Sequence, residues 1–299
     1  MTVPSVAGGA VEHGPMSLRG RVAVVTGATS GLGRWAAQGL AALQATTVVV
    51  GRGEERTAAV ARAISLQTQN PDVVAVAVSD LALRSEASRL ARVLLDRYAQ
   101  VHMLLNNAGA YFHRREVTPE GLERTFALNV LAPYLLTTLL SPRLAAGAPS
   151  RVVMVTSAAH FGQTLHLDDL QSEHDYRGFR TYGRSKLELL LLTRELARQL
   201  ADQRVTVNAI HPGFVRSGFA RNNGGAVGAT IGFLSLLFGR NVRRAASDLV
   251  FAVSDPSLGS ATGQYLSRRR LEDGSPQSRD PDGARRLTEA CAELARPYL

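Results

Sequence analysis

Short runs of β-branched and aliphatic residues alternate with helical patterns along most of this 299-residue chain. The apolar runs lie at 22–25, 46–50, 73–78, 101–105, 151–156, 205–210 and 263–267. Helical patterns fall between them at about 32–43, 54–66, 85–98, 121–144, 182–200 and 245–253. A run that is apolar at nearly every position must be buried on both faces, and a parallel sheet covered by helices on both sides does this. Parallel neighbours are joined by right-handed βαβ crossovers. The pattern predicts a single α/β domain over residues 20–299, a doubly wound Rossmann fold with a mostly parallel, seven-stranded sheet flanked by helices on both faces. Residues 1–19 carry Gly, Pro and Ser without an apolar run and predict a flexible tail. The regularity lapses at about 214–243, an excursion from the fold.

Composition narrows the setting. A chain of this length buries a core without staples. The one cysteine, Cys291, has no disulfide partner, and no Cys/His cluster offers a metal site. A reducing, cytoplasmic compartment and no metal are expected. The formal charge is +9, but the arginines are scattered and form dense runs only at 243–244 and 268–270. That distribution fits a solvated surface and an anionic small ligand rather than nucleic acid. The longest apolar stretch, 226–238, is short of a membrane span and broken by Gly and Thr, so no transmembrane segment is expected.

Between the first strand and the first helix stands Thr26-Gly27-Ala28-Thr29-Ser30-Gly31-Leu32-Gly33. Glycines here let the backbone turn tightly and approach a pyrophosphate, while the helix N-terminus presents free N–H groups and a positive dipole. The strand–turn–helix setting favours a dinucleotide over a bland turn. The second strand ends Val50-Gly51-Arg52, where an NAD site would carry a carboxylate for the ribose hydroxyls. A guanidinium at that point pairs with a 2′-phosphate, so NADPH/NADP+ is the expected cofactor, with Ser30 and Arg34 assisting.

Further ordered motifs follow: Asp80-Leu81, Asn106-Asn107-Ala108-Gly109, Asn129, Ser157, Tyr182-Gly183-Arg184-Ser185-Lys186 and Pro212-Gly213. Together with the glycine turn they resemble the short-chain dehydrogenase/reductase family over most of residues 20–298. Ser157-Ala158-Ala159-His160, His211-Pro212-Gly213-Phe214-Val215 and Gly263-Gln264-Tyr265 resemble its retinol-dehydrogenase-like branch. The resemblance implies that Gly27, Gly31, Leu32 and Gly33 line the pyrophosphate, that Asp80 and Leu81 meet the adenine, and that Asn106 and Ala108 border the ribose. It implies that Gly109 allows close approach, that Pro212, Gly213 and Val215 flank the nicotinamide, and that Ser217 supplies a hydroxyl where threonine is more usual. Asn129, Ser157, Tyr182 and Lys186 are then the catalytic four, and a homodimer or homotetramer would be built on the helices near 121–144 and 182–200.

The chemistry follows from these side chains. Reduction of a carbonyl needs a hydride at carbon, which the cofactor carries, and a proton at oxygen. A free phenol, with a pKa of about 10, exchanges that proton poorly at neutral pH. Lys186, four residues after Tyr182 on a helix, shares its face and stabilises the phenolate, so Tyr182 acts as general acid in reduction and general base in oxidation. Ser157, just beyond a strand's carboxyl end, donates to the substrate oxygen, while the resemblance implies that Asn129, in an otherwise apolar helical run, holds a water that relays protons to Lys186. Of the 34 basic residues, Lys186 is the only lysine. A planar guanidinium is bulkier than an ammonium, which points to a task that arginine does not perform.

The excursion at 214–243 contains the flexible Gly224-Gly225 and the apolar stretch from Ile231 to Phe238, a candidate lid over a greasy ligand or, equally, a helix packed on a partner. With Tyr111, Phe112, Phe161 and Phe219 it suggests a lipophilic ketone, aldehyde or alcohol as substrate. A sugar or carbon–carbon double bond as substrate, and a non-catalytic NADP(H)-binding sensor or interaction module, stand as alternatives. His160 and His211 read as structural residues near the rim, with contact to substrate as the alternative for His160.

Overall fold

The computed structural model describes residues 17–215 and 239–299. Residues 1–16, Ser217, Phe219 and the apolar stretch of the expected lid lie outside the described residues. The expected tail extended to residue 19, but Leu18 is already buried and its N–H donates to the Leu43 carbonyl at 2.7 Å, so the folded domain begins inside that range.

Seven strands run parallel: β1 (Val22–Val25), β2 (Thr46–Arg52), β3 (Val73–Val78), β4 (Met103–Asn106), β5 (Ser150–Val155), β6 (Val205–His211) and β7 (Tyr265–Ser267). An eighth, β8 (Arg270–Glu272), pairs antiparallel with β7, giving the order β3-β2-β1-β4-β5-β6-β7-β8. The seven-stranded expectation is therefore corrected to eight. The sequence of β8, Arg-Leu-Glu, is exposed throughout and has no apolar run to announce it. It exists because the chain turns back at Arg268 (φ +62°) and satisfies the free edge of β7.

Strand residues alternate between two cores. Val24, Val48, Leu104 and Val152 face α3 (Arg84–Arg97), α4 (Arg124–Ala146), α5 (Gly178–Gln199) and α7 (Pro281–Ala295). Val25, Val49, Leu105 and Val153 face α1 (Gly31–Ala42), α2 (Glu54–Thr68) and α6 (Val242–Ser254). Both faces are covered, which is why period-two patterning is absent from the sequence.

Two helices depart from expectation. Helix α4 starts later than residue 121: the Glu123 carboxylate caps it, accepting from the Thr125 and Phe126 N–H groups at 2.7 Å each. It then widens into a π-turn over Ala127–Leu131. By length and composition α4 could cross a membrane, but it lies 72% buried as a core helix. Helix α7 lies beyond the expected helices, with Asp280 at its N-cap and Pro281 at its first position as start signals. It packs along α5 and buries Leu287, Cys291 and Ala295. Helix α7 thus covers one side of α5 with the chain's own C-terminal residues.

Candidate active site

The order reverses between β1 and β4, and a crevice opens there beyond the carboxyl ends of the strands. It is a cavity of about 870 Å³. Gly27, Ser30, Gly31, Leu32, Gly33, Arg52, Asp80, Leu81, Ala108, Gly109, Ser157, Tyr182, Lys186, Pro212, Gly213 and Val215 all line it. Three predicted residues do not. Asn106 is turned into the core, where its Nδ2 donates to Thr137 Oγ1 at 3.2 Å, and Asn107 takes the place at the cavity wall. Consecutive strand residues point to opposite faces, so only one of the two asparagines can reach the crevice. Arg34 lies one turn along α1, outside the lining. Asn129 stands behind the wall and is fully buried.

The glycine turn is pinned to the end of β4. Thr26 Oγ1 accepts from the N–H groups of Asn107 (3.0 Å) and Ala108 (2.9 Å), and Asn107 Nδ2 donates to the Thr26 carbonyl at 2.8 Å. Gly27 (φ +64°) and Gly31 (φ +53°) adopt the left-handed conformation that glycine tolerates. A Cβ at Gly33 would collide with the Gly27 carbonyl and the Asn107 side chain. The first turn of α1 faces the cavity with no side-chain cap from Ser30. These are the requirements of a diphosphate cradle, and the residues fit a dinucleotide.

Charge gathers at the outer end. Arg52 is exposed and makes no ion pair among the described residues. Asp80 accepts from the Ala82 N–H (3.0 Å) and from Arg124 Nη2 (2.8 Å). Arg124, which the sequence did not single out, also binds Glu116 at 2.6 Å and lies 5.0 Å over the Phe112 ring.

The inner end is closed and desolvated. Tyr182 is hydrogen-bonded to the Ser157 side chain, whose Oγ also accepts from the Ala159 N–H at 3.2 Å. Burial pushes the Tyr182 phenol up to about 12, with the Ser157 bond acting in the opposite sense. Lys186 Nζ donates to the Val155 carbonyl at 3.0 Å and sits 5.6 Å from the Tyr182 ring centroid. Burial lowers its ammonium to about 8. Asn129, in the π-turn, donates to the Ala110 carbonyl (2.9 Å) and Ser185 Oγ (3.0 Å) and accepts from the Ala110 N–H (2.9 Å). A π-turn at a functional position is a common device, since it offsets the helical hydrogen-bond ladder. Gly109 brings the two together: a Cβ there would stand 3.1 Å from Asn129 Oδ1 and 3.3 Å from Lys186 Nζ.

Tyr111, Phe112, Phe161, Phe179 and Phe214 form the remaining wall with Gln163. Phe161, Phe179 and Phe214 are each roughly half or more exposed, an apolar rim. His211 lines the cavity, and burial holds its imidazole down at about 4; His160 does not line it.

The family model for short chain dehydrogenases matches residues 21–226. The chain belongs to the short-chain dehydrogenase/reductase family. Human retinol dehydrogenase 12 is 35% identical over 298 residues, covering 98% of this chain and 93% of its own length, so this family member stands in the retinol-dehydrogenase-like branch. A Streptomyces sp. (strain C5) protein that carries the name daunorubicin C-13 ketoreductase DnrU on a provisional basis is 36% identical over 293 residues, covering 98% and 97%. The Pseudomonas aeruginosa RhlG/NADP active-site complex superposes with a TM-score of 0.67 at 28% identity, covering 85% of this chain and 97% of that one.

Proposed function

We propose that this family member is an NADP(H)-dependent oxidoreductase that transfers a hydride between the nicotinamide and a lipophilic ketone or aldehyde, or the corresponding alcohol. The observation that carries the reading is the buried corner where Tyr182 is hydrogen-bonded to Ser157 with Lys186 beside the same ring. The bound cofactor supplies the hydride. The chain supplies everything else.

Ser157 and Tyr182 together offer two hydroxyls to one carbonyl oxygen, which holds the carbon in line for attack and stabilises charge as it develops. Burial keeps the Tyr182 phenol protonated at neutral pH, so the proton is present when the oxygen needs it. Lys186 retains its ammonium below about pH 8, and that charge favours the phenolate left behind. Asn129 fixes the Ala110 and Ser185 positions around Lys186 and serves as a positioning residue. At the outer end, the exposed Arg52 guanidinium suits a 2′-phosphate, in keeping with the NADP in the RhlG complex.

The aromatic wall and exposed phenylalanine rim favour a lipophilic substrate over a sugar, and the names of the two relatives, a retinol dehydrogenase and a ketoreductase, point the same way. The test is turnover of NADPH against a panel of lipophilic ketones and aldehydes, with Tyr182→Phe as control. The variant is expected to bind NADPH and lose turnover. Unchanged cellular function in Tyr182→Phe would favour a non-catalytic sensor instead.

A further inference from the structure

His160 is fully buried, three residues beyond Ser157 and outside the cavity wall. Its Nδ1 lies 2.7 Å from the Ser157 carbonyl oxygen, and its Nε2 lies 3.1 Å from the backbone nitrogen of Ser275. The first partner accepts only and the second donates only, so the ring must be neutral with its proton on Nδ1. The Ser157 carbonyl also accepts from the His160 N–H at 3.2 Å. The ring is held by Phe161 (4.2 Å between centroids) and edge-on by Tyr265 (5.0 Å). Burial lowers the imidazole pKa, and the charge of Arg194 acts in the same direction; His211, itself held neutral, is the other titratable group facing it, with Tyr265.

Ser275 belongs to the C-terminal segment that follows β8. Ser275 and Ser278 are buried and bonded to each other, with Ser278 Oγ donating to the Ser275 carbonyl at 2.6 Å. Arg194 of α5 fastens this segment, donating to the Ser278 carbonyl (2.6 Å) and the Asp273 carbonyl (2.6 Å). Helix α5 thus holds Tyr182 directly and holds Ser157 through Arg194, the 273–278 segment and His160.

We propose that His160 is a positioning residue: it hangs the Ser157 turn on the C-terminal segment and so sets the Ser157 hydroxyl against Tyr182. The proposal rests on the reading of Ser157 and Tyr182 as the pair that grips the carbonyl oxygen. It makes residues 273–278, remote in sequence, part of the active-site scaffold.

The experiment compares His160→Asn, His160→Gln and His160→Phe with the wild-type full chain. An Asn amide reaches only the Ser157 side and a Gln amide only the Ser275 side, so each breaks the relay once, while Phe breaks it at both ends. Amide hydrogen exchange, read on the protein without added cofactor, is expected to rise together in the peptides covering 157–161 and 273–279. With NADPH and a carbonyl substrate, kcat is expected to fall about tenfold or more, as for a misplaced hydroxyl, while KM for NADPH stays within about twofold and the primary isotope effect from 4-deuterated NADPH rises. Arg194→Met, which loosens the segment without touching the ring, is expected to reproduce the effect in weaker form and remains a test should His160→Phe not fold. Exchange that rises at 273–279 with 157–161 unchanged overturns the proposal, as does a lowered melting temperature with unchanged kcat. If the wild type turns over no carbonyl, the proposed function fails while the exchange result still decides the relay.

Discussion

At the outer end of the cavity Arg52, Asp80 and Arg124 stand partly in solvent, where charges are screened and recognition depends on pairing geometry. At the inner end Tyr182 and Lys186 are buried, and loss of water moves both groups far from their ordinary values, up to about 12 and down to about 8. On the proposed reading the outer end selects a cofactor by charge without disturbing the chemistry. The inner end can tune proton transfer without contributing to cofactor choice. The separation follows from the fold, since the strand ends open outward at β2 and β3 and close under α5.

The two ends can be uncoupled experimentally. Tyr182→Phe should lower kcat by about 10³-fold with NADPH affinity held, measured by steady-state kinetics and cofactor fluorescence titration. Lys186→Arg should cost about 10²-fold in kcat, because a planar fork does not fit where a compact ammonium reaches Val155 and the Tyr182 ring. In the wild type the reduction rate should fall as pH rises through about 8 and the ammonium is lost. Arg52→Asp should raise KM for NADPH about tenfold or more, leave NADH nearly unchanged and preserve kcat; equal losses for both cofactors would remove the phosphate role.

The smallest effect concerns stability. Glu188, on α5 two residues beyond Lys186, is buried and its carboxyl is raised to about 8, chiefly by burial, with Arg184 opposing and Glu123 reinforcing. The folded state therefore binds a proton that the unfolded chain releases above about 4.5, and the stability this proton contributes is lost as pH rises through 8. Between pH 5 and 8 the melting temperature should drop, and Glu188→Gln should flatten that slope by about 5 °C. A slope unaltered in the variant would assign the pH dependence elsewhere.

The glycine turn, the Tyr182–Lys186 spacing and Arg52 were legible because each is local: a turn, one helical turn, a strand end. The alternation of β-branched runs with helices announced the sheet for a similar reason, since burial on both faces leaves its mark strand by strand. Asn106 and Asn107 were not separable, because which neighbour faces the crevice depends on the pleat of β4 in place. Arg124 reads as one arginine among many until α4 brings it onto Asp80. Strand β8 has no apolar signature and forms only where β7 leaves an edge to pair.

The sequence by itself determined the class of fold, the glycine turn and the Tyr182–Lys186 spacing on which the proposed proton transfer rests, because short-range spacing and hydrophobic period are written along one dimension. Only tertiary structure decided what surrounds them: the burial that shifts Tyr182 and Lys186, the π-turn that presents Asn129, and the C-terminal segment that reaches Ser157 through His160. Those depend on residues from 19 to 115 positions apart meeting in a dry interior, and desolvation is a property of the packed volume rather than of any stretch of chain.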